Sequence, residues 1–360
     1  MSSQAAAGER RPLGVATMTW ERLHQMYQTE GLVLALGAGV SVNAGLPSWL
    51  ELLRRIAVGC IGPNGRQVVD DLRNAGFGFP AIAGMLRTQC PPSVDFVGLV
   101  REQLYSDFPH DLHTASRRDW GRLVEYVQTT NTTLRAVCAL CATTTSCPGQ
   151  YDRNPRIHAI VNFNLDAVFR AYMHARYPHG KHPLVRTVER PNKSRDPEKI
   201  SVYHMHGYLR FDSKAGRRDS EASDRLVLSE HEYFDVFNSP TSLFNYTFLH
   251  MLREHSCLFV GLSMQDDNIR RLLHYSARER LRGYVDEGKR LSDAQARVCR
   301  HFAILRRFDS DDIDTLVERS LGELGTNVLW IERHDERYEE IPLRLGQLYE
   351  IAGGTWRSVY

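Results

Sequence analysis

Four short segments place glycines or hydrogen-bonding side chains directly after apolar runs. In the first, Leu32-Val33-Leu34-Ala35-Leu36 ends at Gly37-Ala38-Gly39-Val40-Ser41. Small residues there let the backbone approach a pyrophosphate, and a following helix can aim its amides at the same group. The spacing is not the full dinucleotide fingerprint, and similar turns are common in α/β proteins. Ser41 can bond a phosphate or cap a helix. In the second, Asn162-Phe163-Asn164-Leu165-Asp166 follows the apolar residues 157–161. The Asn164 amide can hold a ribose hydroxyl and a water, with Asp166 positioning Asn164 or touching the sugar. An Asx turn into the next helix is the alternative. The third is His204-Met205-His206-Gly207. A neutral imidazole there can accept a proton from a ribose hydroxyl or water. Strand alternation puts His204 and His206 on one face, so only adjacency to Gly207 favours His206. In the fourth, Cys257-Leu258-Phe259-Val260 ends at Gly261-Leu262-Ser263. Ser263 and Asp266 can bind sugar hydroxyls, or Asp266 or Asp267 can cap the helix that follows.

The elements that must position these groups are strands and helices in alternation. Residues 32–36 are apolar at every position, as in a parallel strand covered on both faces. Residues 157–161, 201–205, 257–260, 303–307 and 328–331 read as further strands. Residues 20–28, 50–56, 168–175, 242–253, 268–280 and 339–351 read as helices. Ser229-Glu230-His231-Glu232 has the form of a capping box. Residues 176–200 are basic and proline-containing and read as a long loop with at most a short strand. Residues 210–225 read as an exposed, mobile loop. This order predicts an α/β fold: a Rossmann-like, doubly wound parallel sheet with a helical insertion or lobe. The expected organisation is a flexible arm over 1–18, one α/β domain over 19–335 with a mainly helical insertion over 57–155, and a C-terminal helix and tail over 336–360.

Hydrophobic residues at 42% and charged residues at 24% suit a soluble globular chain. A formal charge of +2 is too small to imply nucleic acid, and no direct nucleic-acid motif is present. No run of about 18 apolar residues exists, so no membrane span is expected. Residues 1–15 lack the apolar centre of a signal peptide, and the chain reads as cytoplasmic. The seven cysteines are odd in number and irregular in spacing, which argues against a disulfide framework. Cys138-x-x-Cys141, with Cys147 and His158, supplies four zinc ligands on paper. It lacks a second paired motif and lies in a helical run, so ordinary thiols and no metal are expected.

Taken together, the segments resemble the sirtuin family, and within it the bacterial SIR2-like branch of defence-associated NAD hydrolases. Gly37 to Ser41 with Gly45-Leu46-Pro47 looks like the first nucleotide motif, and Asn162 to Asp166 like the Thr-Gln-Asn-x-Asp element. His206-Gly207 looks like the catalytic His-Gly, and Gly261-Leu262-Ser263 with Asp266-Asp267-Asn268-Ile269 like the last motif. The departures are specific. Ser48-Trp49-Leu50 stands where protein deacylases carry Asp-Phe-Arg, Phe163 stands where Gln is usual, and the paired cysteines of the zinc module are missing after His206.

The resemblance implies cleavage of the nicotinamide–ribose bond of NAD, with no metal. Asn164, His206 and Asp166 would be catalytic. Gly37, Ala38, Gly39, Ser41, Pro47, Trp49, Gly261, Ser263 and Asp266 would bind NAD, with Ser263 and Asp266 on the adenosine side and Trp49 either stacking in the pocket or anchoring the core. It further implies an effector of an anti-phage, NAD-depleting response. Its activity would be controlled by homo-oligomer assembly or by a separate activator such as a HerA-like ATPase or an Argonaute-like protein. The alternatives are an NAD-dependent deacylase or ADP-ribosyltransferase, which would need the missing zinc-supported groove, and a non-catalytic NAD- or ADP-ribose-binding scaffold.

Overall fold

Seven strands pair in parallel, in the order β11-β10-β9-β1-β4-β8-β7. They are β1 (Leu32–Leu36), β4 (Ile157–Asn162), β7 (Val185–Val188), β8 (Ile200–His204), β9 (Ser256–Val260), β10 (His301–Arg306) and β11 (Thr326–Ile331). Two antiparallel pairs lie outside this sheet: β2 (Ala142–Thr144) with β3 (Tyr151–Arg153), and β5 (Pro178–His179) with β6 (His182–Pro183). The computed structural model describes residues 13–113, 120–144, 150–179, 182–188, 195–210, 226–238, 242–333 and 339–351. Cys147 and the loop expected over 211–225 lie outside the described residues.

The apolar run of β1 explains the layering. All five residues are buried, and alternation sends them to two cores. Leu32, Leu34 and Leu36 join one core with α2 (Trp49–Ile61), α8 (Thr132–Leu140), α9 (Val168–Arg176) and the C-terminal helix Glu340–Ile351. Val33 and Ala35 join the other, with helices Leu243–Glu254 and Asp267–Asp286. The sheet is thus wound on both faces, as its fully apolar strands require. The chain leaves β1 for β4 and β8 on one side, then returns to β9 on the other. The carboxyl ends around β1 are therefore the topological switch point, where ligands bind in this architecture.

The crossover from β1 to β4 carries α2, then α3 (Gly65–Asn74), α4 (Phe79–Gln89), α5 (Phe96–Leu104), α6 (His110–His113), α7 (Trp120–Thr130) and α8. Local chemistry starts these helices: Ser48 accepts from Glu51 N, Asp95 from Val97 N, and Asn131 from Leu134 N. Helix α1 (Leu13–Thr29) begins inside the stretch expected as a flexible arm. The basic stretch 176–200 holds β7 as an edge strand of the main sheet. Only Val185 and Val188 are buried there, while Arg186 and Thr187 are half-exposed, so the apolar pattern is too short to stand out. No described helix is long and apolar enough to cross a membrane.

Cys138 and Cys141 are both buried in the helical core, and burial pushes both thiols up. His158 bonds the Glu30 carbonyl at 2.7 Å and stacks on His255 at 4.0 Å. Among the described residues, no three His, Cys, Asp or Glu side chains are grouped to share a metal.

His301 opens β10, is buried, and accepts from Cys257 N through Nδ1 at 3.2 Å. Burial, helped by the Arg300 and Arg280 charges, lowers its pKa to about 3. The unfolded chain then takes up this proton first as pH falls. The resulting stability is present above pH 6.5 and is lost progressively toward pH 3. Urea titrations should show this one group costing about 2 kcal/mol between pH 7 and pH 5, and His301→Gln should remove that share of the slope.

Candidate active site

The pairing register brings the four polar segments to one level. Leu36 pairs with Asn162 and with Val260, and Asn162 pairs with His204. The ladder then runs one residue past each strand. Gly37 N donates to Val260 O, Phe163 N to Leu36 O, and Met205 N to Asn162 O, at 2.9–3.0 Å. Gly37, Phe163, Met205 and Gly261 therefore form the next row, and the functional candidates rise from it.

At the centre of this rim two loops touch backbone to backbone. Gly39 N donates to Gly261 O at 3.0 Å. A Cβ on Gly37 would lie 2.4 Å from Gly261 O, and one on Gly39 2.8 Å from Gly261 Cα. Gly261 has φ +70°, and a Cβ there would lie 2.6 Å from Val40 N. The three glycines are thus required by loop-on-loop packing. The amides of Gly37, Gly39, Val40 and Ser41 all donate to carbonyls of the two loops. The Gly37 turn continues as two short 3₁₀ turns, Ala38–Val40 and Val42–Ala44, rather than leading straight into an α-helix. The next α-helix, α2, starts only at Trp49.

In the Asn loop, Asn162 and Asp166 both make Asx turns. Asn162 Oδ1 accepts from Asn164 N at 3.0 Å, and Asp166 Oδ1 from Val168 N at 2.9 Å. Burial raises the Asp166 pKa, and the hydrogen bond from Val168 N opposes the rise. Asn164 is different. Its Nδ2 donates to Gly37 O at 2.9 Å, while its Oδ1 is buried without a partner among the described residues. An unsatisfied buried carbonyl costs about 1–3 kcal/mol and is the kind of atom a ligand satisfies.

The two histidines separate because the strand ends between them. His204 closes β8 and its ring lies 4.6 Å from that of Tyr208. His206 lies beyond the strand, followed by Gly207 at φ +92°, a backbone that favours glycine. Its ring is enclosed by Phe163, Tyr233 and Trp49, with centroids at 5.3, 5.5 and 6.2 Å. Its Nε2 lies 3.4 Å from Tyr233 Oη and 3.8 Å from Asp266 Oδ2, and Tyr233 Oη donates to that same Oδ2 at 2.8 Å. Burial lowers the His206 pKa against the pull of the Asp266 charge and the Phe163 carbonyl. The ring is therefore neutral at pH 7 and able to accept a proton.

Asp266, expected on the adenosine side, has its other oxygen on Ile269 N at 2.9 Å, capping the helix Asp267–Asp286. Ser263 is exposed on the loop after Gly261. Met264, on the same loop, is buried with φ +58°, a strained backbone for a side chain of this size.

Beside Asn164 a cleft is lined by Ala38, Ser41, Pro47, Trp49, Asn164 and Asp166, with Leu46, Leu52, Leu104 and Leu165. Trp49 both lines this cleft and packs against the core. The cleft is narrow, with a cavity volume of about 20 Å³, room for about one water. Binding a larger molecule therefore requires its walls to part. Those walls are held by side chains that no sequence motif marks. The Tyr105 hydroxyl accepts from Ala167 N at 2.8 Å and donates to Leu209 O at 2.7 Å, tying the Asn164 loop to the His206 loop. Asn131 Nδ2 donates to Val40 O at 2.8 Å and Tyr126 Oη to Ala44 O at 3.2 Å, fixing the Gly37 loop from the helical side. Tyr233 was missed as well, since its link to His206 and Asp266 spans about 30 residues with no periodic signal.

A SIR2-like domain is present over residues 158–329. The match is just under half of the chain. It takes in Asn164, Asp166, His206, Gly261, Ser263 and Asp266, while the Gly37 turn and Trp49 precede it. No curated protein matches the chain. The domain supports NAD-using chemistry in general, and the rim geometry sets its Asn and His at the carboxyl ends of adjacent strands.

Gly261→Ala should cost at least about 2 kcal/mol in urea unfolding, because the positive φ and the 2.6 Å approach to Val40 N penalise it together. Tyr105→Phe should cost about 1–3 kcal/mol, since it removes the hydroxyl and leaves Ala167 N–H and Leu209 C=O unpaired. Equal stability of either variant and the parent would contradict the loop geometry.

Proposed function

We propose that this chain is an NAD hydrolase that cleaves the nicotinamide–ribose bond to give nicotinamide and ADP-ribose. The observation that carries the reading is Asn164. Its amide nitrogen is pinned to Gly37 O, so its orphaned, buried Oδ1 is held in one direction at the switch point of the sheet. A fixed carbonyl of this kind suits a ribose hydroxyl or the attacking water. His206, buried and neutral, takes the proton as water adds to the anomeric carbon and the bond to nicotinamide breaks. Positive charge develops at that carbon in the transition state. Tyr233 and Asp266 orient the imidazole, and Asp166 and Tyr105 hold the Asn164 loop. Trp49 and Pro47 supply an apolar wall against which a flat ring can lie.

Uncontrolled NAD loss would harm the cell that makes the enzyme, so its activity must be gated. The narrow cleft fits a resting state that opens on assembly. Phe234, Leu243 and Tyr246 are each about half-exposed on the helices Glu230–Asn238 and Leu243–Glu254, beside Tyr233. We assign a self-association or activator surface to these side chains, on the helix that carries Tyr233 and the helix after it. An effector of antiviral defence, switched by oligomerisation or by a separate sensor protein, accounts for both features.

Asn164→Ala should lower nicotinamide release from NAD at least about 10²-fold, and His206→Ala about 10²- to 10⁴-fold, with circular dichroism unchanged. A folded Asn164→Ala protein with parental turnover would refute the reading. Because burial holds the His206 pKa below 6.5, kcat/KM should stay level from pH 8 down to that value and fall only in more acid solution. Asp266→Asn removes the charge that raises this pKa, so its acid limb should move to lower pH.

A further inference from the structure

Two thiols meet across a pair of helices in the lobe. Cys60 sits in the last turn of α2, and Cys90 follows the last residue of α4. The two helices pack together, and both cysteines are free. Cys60 belongs to the core on that face of the sheet, and Cys90 packs against the same core. The Cys90 thiol lies within hydrogen-bonding reach of Cys60 and, together with burial, pushes the Cys60 thiol up to about 12. The two differ in access. Cys60 is buried, whereas Cys90 is only half-buried, at the turn that leads into Pro91-Pro92. One thiol is thus open to a small oxidant while its neighbour stays protonated and shielded. Among the other described cysteines, Cys138, Cys141 and Cys257 are fully buried, and Cys299 Sγ donates to Gly322 O at 3.2 Å.

The pair also joins two elements that enclose His206. Helix α2 begins at Trp49, which lines the cleft and whose ring lies 6.2 Å from that of His206. Helix α4 packs on the helix Glu230–Asn238, which carries Tyr233, and Arg87 of α4 is ion-paired with Glu232 of that helix. Glu232 in turn accepts from Ser229 N at 2.6 Å, which fixes the start of the helix. A bond from Cys60 to Cys90 therefore ties the Trp49 helix to the element that braces Tyr233. The cleft must widen before it takes a molecule larger than water, and a covalent link between these elements resists that widening.

We propose that Cys60 and Cys90 are an oxidisable pair that a peroxide closes to a disulfide, holding the cleft in its narrow form. Cys90 Sγ attacks the O–O bond of hydrogen peroxide, becomes the sulfenic acid and releases one water. Cys60 Sγ then attacks the Cys90 sulfur, and its proton leaves with the sulfenic hydroxyl as a second water. One S–S bond of about 2 Å closes. Two thiols give up two electrons, and one peroxide is reduced to two waters. A dithiol reopens the bond by exchange. Formation of the bond is independent of the NAD-cleaving reading, while its effect on turnover rests on that reading.

The full chain would be treated with hydrogen peroxide, with and without later dithiothreitol, and digested with trypsin under non-reducing conditions. Residues 56–66 and 88–101 should appear as one linked peptide that reduction separates. Amide exchange at residues 49–52 and 230–235 should slow in the oxidised protein. Nicotinamide release should fall at least about tenfold and return with dithiothreitol. Cys90→Ser should keep the turnover of the reduced parent and lose both the linked peptide and the fall. Cys60→Ala should also lose the link and leave Cys90 to oxidise alone; if its packing fails, the half-buried Cys90→Ser variant decides. A linked peptide with slowed exchange in a protein that never cleaves NAD would support the pair and count against the NAD-cleaving reading alone. No linked peptide from folded protein, exchange unchanged once the link has formed, or a peroxide effect that persists in Cys90→Ser would overturn the proposal.

Discussion

The approach of the Gly37–Gly39 turn to Gly261 sets the position of every group at the rim. Two loops from adjacent parallel strands normally stand apart by the width of their side chains. Here three missing Cβ atoms let them close to backbone contact, where any Cβ would fall 2.4–2.8 Å from the opposing main chain. The Gly37 carbonyl is thereby presented to Asn164, and Gly261 starts the loop that carries Asp266 to His206. A glycine-rich turn after a buried strand is usually explained by a phosphate that must come close. In this chain the space is filled by protein, and four successive donors of the turn, apart from Ala38, are already engaged. The glycines answer to packing before they answer to any ligand.

A parallel neighbour needs only a single crossover helix, yet the path from β1 to β4 runs through seven. The excess is used at the rim. Asn131 is the clearest instance, because its two side-chain atoms do separate tasks: Oδ1 caps α8 through Leu134 N at 2.8 Å, and Nδ2 holds Val40 O. Tyr105 likewise spends one hydroxyl on two loops. Both groups are buried, where an unpaired polar atom is costly, so lobe and rim must form together. The lobe is part of what determines the geometry of the cleft, beyond covering one face of the sheet.

The sequence was most legible where hydrophobic runs stop abruptly. Leu32–Leu36 and Ser256–Val260 are buried at every position, and the turn residues after them mark the carboxyl rim without ambiguity. The SIR2-like match over 158–329 takes in the second of these segments, and the first precedes it. Choosing between His204 and His206 failed on alternation, because alternation applies only while the strand lasts, and β8 ends at His204. The Asx turn described Asp166 and not Asn164, whose environment depends on Gly37, 127 residues away, and a second Asx turn falls on Asn162 instead. Tyr105 and Tyr233 were invisible for the same reason: a hydroxyl that bridges two loops leaves no local periodicity. The edge strand β7 was hidden because only Val185 and Val188 of its four residues are buried, and they are three apart, so no period-2 apolar pattern forms.

The protonation state of His206 follows from a balance that sequence cannot weigh. A carboxylate 3.8 Å away would ordinarily favour the imidazolium. Asp266, however, shares its charge with the Tyr233 hydroxyl and the Ile269 amide, both closer than His206. What reaches the ring is a weakened field, while enclosure by Phe163, Trp49 and Tyr233 removes the water that would solvate a cation. Desolvation therefore outweighs attraction, and the imidazole stays neutral beside an anion. Trp49, one of the three aromatic walls that keep it neutral, also lines the cleft, so base strength and access are coupled through that ring. A movement that opens the cleft to a substrate would also rehydrate His206 and raise its pKa toward neutrality, where a general base is most effective.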